Sequence, residues 1–268
     1  MNRVDQGPRL SIAARTDRGR RRELNEDALF AADPCFVVAD GMGGHDRGDA
    51  AAKAAISAFS EEFTAPGLAT VRRVDRALEE ARARVNAISA RSERGAGCTL
   101  TGAILIEHGG VPCWYVLNIG DSRVYLQRGN ELRQLTIDHS LREELLAEGD
   151  ERAAETPNHI ITRALGSEDD RHDAWLLPLE SGSRLLICSD GLTSELPDGQ
   201  LRALLSAGGR PEPVVDELIR RALAAGGRDN VTVILVDVIS GGIDPASVTD
   251  PVEETDGATI EITKPRSR

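Results

Sequence analysis

Aromatic side chains are scarce: two Trp, two Tyr and four Phe make up 3% of the 268 residues. The core must therefore be built mainly from Val, Leu, Ile and Ala. No stretch interleaves aromatic with basic residues as single-stranded nucleic-acid grooves do. Positive charge is also in deficit, leaving a formal net charge of −12, which repels nucleic acid and anionic membranes. Cysteine is limited to Cys35, Cys98, Cys113 and Cys188, without a CxxC pair. Each lies in or beside an apolar run and reads as a buried reduced thiol rather than a disulfide or zinc ligand. No run reaches the roughly 18 apolar residues of a membrane span, and residues 1–11 lack the apolar stretch of a signal peptide. The expectation is a cytoplasmic protein without membrane or nucleic-acid partners, read as a monomer.

What is present suits one large soluble domain: 40% hydrophobic and 28% charged residues in a chain long enough to bury a core without staples. Over 46–63, Ala52, Ala55, Ile56, Phe59 and Phe63 share a face at spacings of three and four, which predicts a helix. The same holds over 68–90 for Val71, Val74, Leu78, Ala81, Val85 and Ile88. A second helix pair is expected at 198–207 and 213–224. Strand-like runs cover 10–14, 28–32, 35–39, 100–106, 113–118, 123–127, 132–135, 184–188 and 231–238. Turns at Asp33-Pro34, His108–Gly110 and Gly129-Asn130 favour antiparallel pairing. This grouping predicts an α+β fold with two antiparallel sheets covered by helices. Residues 138–166, with a short helical piece at 141–148, read as an insertion over one edge. From 241 to 268 the chain turns polar and Pro-containing, and a disordered tail is expected.

The chemistry gathers at strand ends. The runs CFVVA, RLLICS and VLNI finish in Asp40-Gly41, Asp190-Gly191 and Gly120-Asp121, while Asp27 and Asp229 precede strands. A hairpin centred on Asp33-Pro34 pairs residues numbered to a constant sum, which sets Asp27 opposite Asp40. Carboxylates meeting at the end of a buried sheet repel one another unless cations bind between them. An all-oxygen donor set selects Mg2+, Mn2+ or Ca2+. Taken singly, each Asp-Gly also suits an ordinary turn; together they point to a metal site.

The segments Thr16-Asp17-Arg18-Gly19, Arg22, Asn25-Glu26-Asp27, Ala39-Asp40-Gly41-Met42-Gly43-Gly44-His45, Gly97-Cys98-Thr99, Asn118-Ile119-Gly120-Asp121-Ser122-Arg123, Asp138-His139-Ser140, Ser189-Asp190-Gly191 and Arg228-Asp229-Asn230 occur in this order. They resemble the motifs of the bacterial type 2C metal-dependent serine/threonine protein phosphatases. One such motif would be weak; the ordered set is specific, and it spans about residues 10–238. The resemblance implies a four-layer α-β-β-α sandwich over 8–240, with 138–166 as a flap, and Mn2+ or Mg2+ as cofactor. It implies two core ions and a weaker third. Asp40 would bridge the core pair with the Gly41 carbonyl on one ion, and Asp190 and Asp229 would hold the first. Asp27 and Glu26 would serve the second, Glu26 through water. Asp121 would join Asp190 at the third. Arg22 matches the phosphate-binding arginine, although Arg20 and Arg21 are alternatives in the same basic run.

Met42 stands where eukaryotic members carry a histidine thought to protonate the leaving group. His45 is a candidate for that role and equally reads as a loop histidine; His139 reads as structural. Thr99, Ser122 and Ser189 read as supports for the aspartates. Implied partners are phosphorylated Ser/Thr proteins, opposing eukaryotic-like kinases. The acidic tail, with Thr249, Thr255 and Thr259, is a candidate for kinase modification and phosphothreonine-reading domains. A non-catalytic phosphoprotein-binding module of the same fold is the alternative.

Overall fold

The strands and helices pack as four layers in a computed structural model that describes residues 7–43, 47–93, 95–244 and the backbone of 260–261. The first sheet follows the order β12 (Ile260–Glu261), β9 (Asp173–Pro178), β6 (Val111–Ile119), β5 (Leu100–His108), β3 (Cys35–Met42) and β2 (Asp27–Ala32), with the short β4 (Gly97–Cys98) paired to β3. The second runs β1 (Arg9–Asp17), β11 (Val231–Ser240), β10 (Arg184–Cys188), β7 (Arg123–Arg128) and β8 (Glu131–Gln134). Every pairing within them is antiparallel.

The continuous apolar runs follow from burial on both faces. Along β3, Phe36 and Val38 enter the core between the sheets. Cys35, Val37 and Ala39 point the other way, against α1 (Arg47–Glu62) and α2 (Val71–Ser89), because successive side chains alternate across a strand. The second sheet repeats this: Leu185 and Ile187 face the inter-sheet core, while Leu186 and Cys188 pack beneath α5 (Asp198–Ser206) and α6 (Pro211–Ala225). Phe36 and Trp114 meet edge to face at 5.9 Å in the middle layer, a contact worth about 1 kcal/mol beyond the area it buries. All four cysteines are free and buried.

Strands β4, β9 and β12 and a helix directly after β10 were not anticipated. The strand β9 is short, and its run Trp175-Leu176-Leu177 is hemmed by charged residues before and Pro178 after. The one-turn helix α4 (Asp190–Thr193) follows β10 directly. The insertion carries α3 (Leu141–Ala147) and a 3-10 turn at Glu151–Ala154. Residues 241–244 remain packed: Ile243 bridges Glu180, and its carbonyl accepts from Ser181 N at 3.0 Å. The rest of the tail, including Thr249, Thr255 and Thr259, lies outside the described residues, except that the backbone of Ile260–Glu261 pairs with β9. Among the described residues no helix is long and apolar enough to cross a membrane.

Candidate metal centre and active site

Antiparallel register brings the acids to one end of the molecule. Asp27 opens β2 and is paired with Asp40. Because β6 is antiparallel to β5 and β5 to β3, β6 runs with β3 and delivers Gly120-Asp121 at the same edge. In the second sheet β10 ends at Cys188, where Asp190 follows, and its antiparallel neighbour β11 begins just after Asp229. Two hydroxyls from the second sheet tie the edges together: Ser189 Oγ and Thr232 Oγ1 donate to Asp27 Oδ2 at 2.8 and 2.6 Å.

The edges frame a cavity of about 650 Å³ lined by Glu26, Asp40, Gly41, Asp121, Asp190 and Asp229, with Arg22, Met42, Gly43, Arg123 and Asp138. Its remaining wall is Asn158, His159 and Ile161 from the insertion, and Thr193, Ser194 and Arg228. Asp27 does not line the cavity; it lies buried behind, its carboxylate divided between the Oδ2 just described and an unpartnered Oδ1. His45 lies outside the described residues. His139 is buried away from the cavity, its Nδ1 accepting from Gly120 N at 3.1 Å and its Nε2 lying 3.2 Å from Asp173 Oδ2.

Close backbone approach explains two of the glycines. A Cβ on Gly41 would collide with the Gly48 carbonyl at the start of α1 and with the Glu26 carbonyl, and one on Gly191 would collide with the Asn230 carbonyl. The strand ends can meet only without those side chains.

The supports are specific. Thr99 Oγ1 accepts from Asp40 N at 3.0 Å and lies 3.0 Å from Ser122 Oγ, so Thr99, Ser122 and Ser189 all stand behind aspartate positions, as the sequence suggested. Asn230 and Thr232, to which the sequence alone assigned no role, also support the site. The Asn230 side chain accepts from Glu26 N at 2.8 Å and donates to the Arg18 and Leu24 carbonyls at 2.8 and 2.9 Å, clamping the loop that presents Arg22 and Glu26. Their signal was the Asp-Asn-Val-Thr sequence entering β11. Arg123 forms a forked ion pair with buried Asp138, at 2.6 Å for the closest contact.

Charge crowding is visible in the acids. Burial, reinforced by Asp27, Asp190, Asp121 and Asp229, holds the Asp40 carboxyl well above the usual range. Burial raises Asp27 to about 7, against the pull of the Thr232 and Ser189 hydroxyls. Burial and then Asp190 lift Asp121 to about 8; burial and then Asp229 raise Asp190. The guanidinium of Arg22 donates to Asp229 Oδ2 at 2.7 Å, the first cause of its own upward shift.

A divalent cation fits this donor set. Buried oxygens Glu26 Oε1, Asp27 Oδ1 and Asp190 Oδ1 have no hydrogen-bond partner, a costly arrangement unless a ligand satisfies them. All are hard oxygen donors. Among the described residues no group of three or more His, Cys, Asp or Glu side chains is arranged to hold an ion unaided. The carboxylates are instead spread around the cavity, which suits a cation that keeps part of its water.

Comparison with known proteins agrees with the motifs. The sequence profile of the family described as protein phosphatase 2C matches residues 16–235. Serine/threonine phosphatase stp of Listeria innocua is 38% identical over 240 residues, covering 83% of this chain and 94% of that protein. Among solved structures, the Mycobacterium tuberculosis serine/threonine phosphatase PstP/Ppp is similar with a TM-score of 0.78 at 32% identity, over 86% of this chain and 99% of that one. The catalytic domain of serine threonine protein phosphatase PstP in complex with 2 manganese ions gives 0.77 at 33% identity, over 86% and 99%.

Proposed function

We propose, for a chain that belongs to the protein phosphatase 2C family, that it hydrolyses phosphoserine and phosphothreonine on proteins with the help of Mn2+ or Mg2+. One observation carries this reading: carboxylate oxygens from both sheets are buried without partners around a single cavity. The non-catalytic alternative finds no support in the residues, since none of the matched acids is replaced.

On this reading Asp40, Asp190 and Asp229 would hold one ion, and Asp40 would also serve a second together with Asp27 and, through water, Glu26, with the Gly41 carbonyl on one of the two. Asp121 and Asp190 would hold a weaker third. When bound, such ions supply an activated water and neutralise phosphoryl oxygens. Thr99 fixes the Asp40 backbone, and the Ser189 and Thr232 hydroxyls fix Asp27, so that these side chains would need little rearrangement to serve a bound ion. Physiological partners are then phosphorylated proteins and the Ser/Thr kinases that modify them.

Purified protein should hydrolyse p-nitrophenyl phosphate and a phosphothreonine peptide in Mn2+ or Mg2+, lose that activity in EDTA, and regain it when the ion is restored. Turnover that survives chelation would sink the reading.

Arg22 is the phosphate anchor. Its side chain is about half exposed at 52%, and beyond the bond to Asp229 its N–H groups have no partner among the described residues. A guanidinium fork suits a phosphoryl group. Arg22→Ala is expected to lower kcat/KM on the peptide by about 10- to 100-fold, the size of a lost charge-assisted hydrogen bond. Arg22→Lys should recover only part of it, and an unchanged kcat/KM for both variants would remove Arg22 from the site.

A further inference from the structure

Hydrolysis of an alkyl phosphate needs a proton for the departing oxygen, because an alkoxide is a far poorer leaving group than an alcohol. Position 42, beside the Asp40-Gly41 pair, is a methionine and has no proton to give. The other polar side chains around the cavity are largely committed. Arg22 is tied to Asp229, Arg123 to Asp138, and Arg228 to Glu195 at 3.0 Å. None of these guanidiniums releases a proton near neutral pH. On the reading above the carboxylates face cations or, for Asp138, an arginine.

One imidazole lines the cavity among the described residues: His159. Its side chain is exposed and has no hydrogen-bond or ion-pair partner among them. Its backbone neighbourhood is nonetheless anchored. Leu141 N donates to the Ile160 carbonyl at 2.9 Å, Ser140 bridges Ile161, and Thr162 N donates to the His139 carbonyl at 2.9 Å. His139 in turn accepts from Gly120 N beside Asp121. The backbone of the insertion is therefore stitched to the floor of the site immediately after His159, and the imidazole lies in the cavity wall with neither ring nitrogen partnered among the described residues. Imidazole is the side chain best suited to exchanging a proton near neutral pH.

We propose that His159 is the proton donor to the leaving serine or threonine oxygen, an inference that rests on the phosphatase reading. In the step, water oxygen bonds to phosphorus and gives up one proton to solvent, keeping the other in the hydrogen phosphate product, and the bond from phosphorus to the side-chain oxygen breaks. The electron pair stays on that oxygen, and the His159 imidazolium passes it a proton. Neutral imidazole is then reprotonated from solvent, so no further reactant is consumed.

The test is a series of aryl phosphates of graded leaving-group acidity, together with a phosphothreonine peptide, assayed in Mn2+ with wild type and His159→Gln. With nitrophenyl phosphate the leaving group departs as an anion without help, so the variant should match wild type within about twofold. Loss of a general acid is worth roughly 10²- to 10⁴-fold, so the deficit should grow through phenyl phosphate to the peptide. The plot of log kcat against leaving-group acidity should become steeper. Melting temperature and Mn2+ affinity by calorimetry should stay unchanged, which separates the effect from damage to the fold or to ion binding. A uniform loss along the series, or none, would overturn the proposal, as would steepening in His45→Gln but not in His159→Gln. If wild type itself shows no Mn2+-dependent turnover, the phosphatase reading fails instead.

Discussion

Replacing Asp40 by asparagine should lower metal-dependent turnover by at least about 10³-fold while leaving the protein folded, and without divalent ions at pH 8 at least as stable as wild type. The two halves of this result have one cause. Asp40 is buried, and Asp27, Asp190, Asp121 and Asp229 add to the cost of its charge, so the native state tolerates that carboxylate rather than gaining from it. Asparagine keeps the shape and one carbonyl oxygen, removes the repulsion, and leaves the backbone bond from Asp40 N to Thr99 in place. It also removes the negative charge that would hold two cations together. Charge neutralisation by ions contributes several kcal/mol to phosphoryl transfer, and losing one well-placed electrostatic group alone costs about 10²- to 10³-fold. Steady-state kinetics on a phosphothreonine peptide, paired with thermal melts in EDTA, measure both. A variant that retained a tenth of wild-type activity would detach Asp40 from the chemistry. One that lost activity by failing to fold would instead make it a structural residue.

The placement of Asp40 opposite Asp27 was legible in the sequence because a tight hairpin leaves no freedom of register. Once Asp33-Pro34 is recognised as the turn, counting outward fixes every pair down to Asp27 and Asp40. The same logic located the ends of β6 and β10, where an apolar run stops abruptly at a Gly-Asp or Asp-Gly. Register between sheets has no such rule. That Ser189 and Thr232 of one sheet would grip Asp27 of the other depends on how the two twisted layers stack, which strand periodicity does not encode. Strand β9 escaped notice for a related reason: six residues, with charge before the apolar run and Pro178 at its end, give too short a period to separate from a loop. His159 was the hardest case. It lies in a segment with little periodic pattern, and its value comes only from a cavity whose other walls are assembled from residues 22 to 229.

Metal-free protein should lose stability as pH rises from about 5 to 8, and Mn2+ should reverse the trend. The carboxyl of Asp27 is raised from 3.8 to about 7 and that of Asp121 to about 8. A folded state with raised carboxyl pKa values binds more protons than the unfolded chain between about pH 4 and 8, so its stability is greatest below that window and falls through it. A divalent cation favours the ionised carboxylates and competes with those protons. The stabilisation it gives should therefore be small at pH 5 and full at pH 8. At a hundred times its dissociation constant an ion adds about 2.7 kcal/mol, or roughly 5–10 °C in melting temperature for a domain of this size. Melting curves at pH 5, 6, 7 and 8, with and without Mn2+, should diverge steadily towards high pH. An Mn2+ shift of equal size at every pH would mean that the ion binds away from these acids. Metal-free stability that climbed between pH 5 and 8 would mean that Asp27 and Asp121 are paired with cationic groups rather than buried among other acids. Because the repulsion that destabilises the empty site is what the ions relieve, asparagine at position 40 should flatten both curves at once.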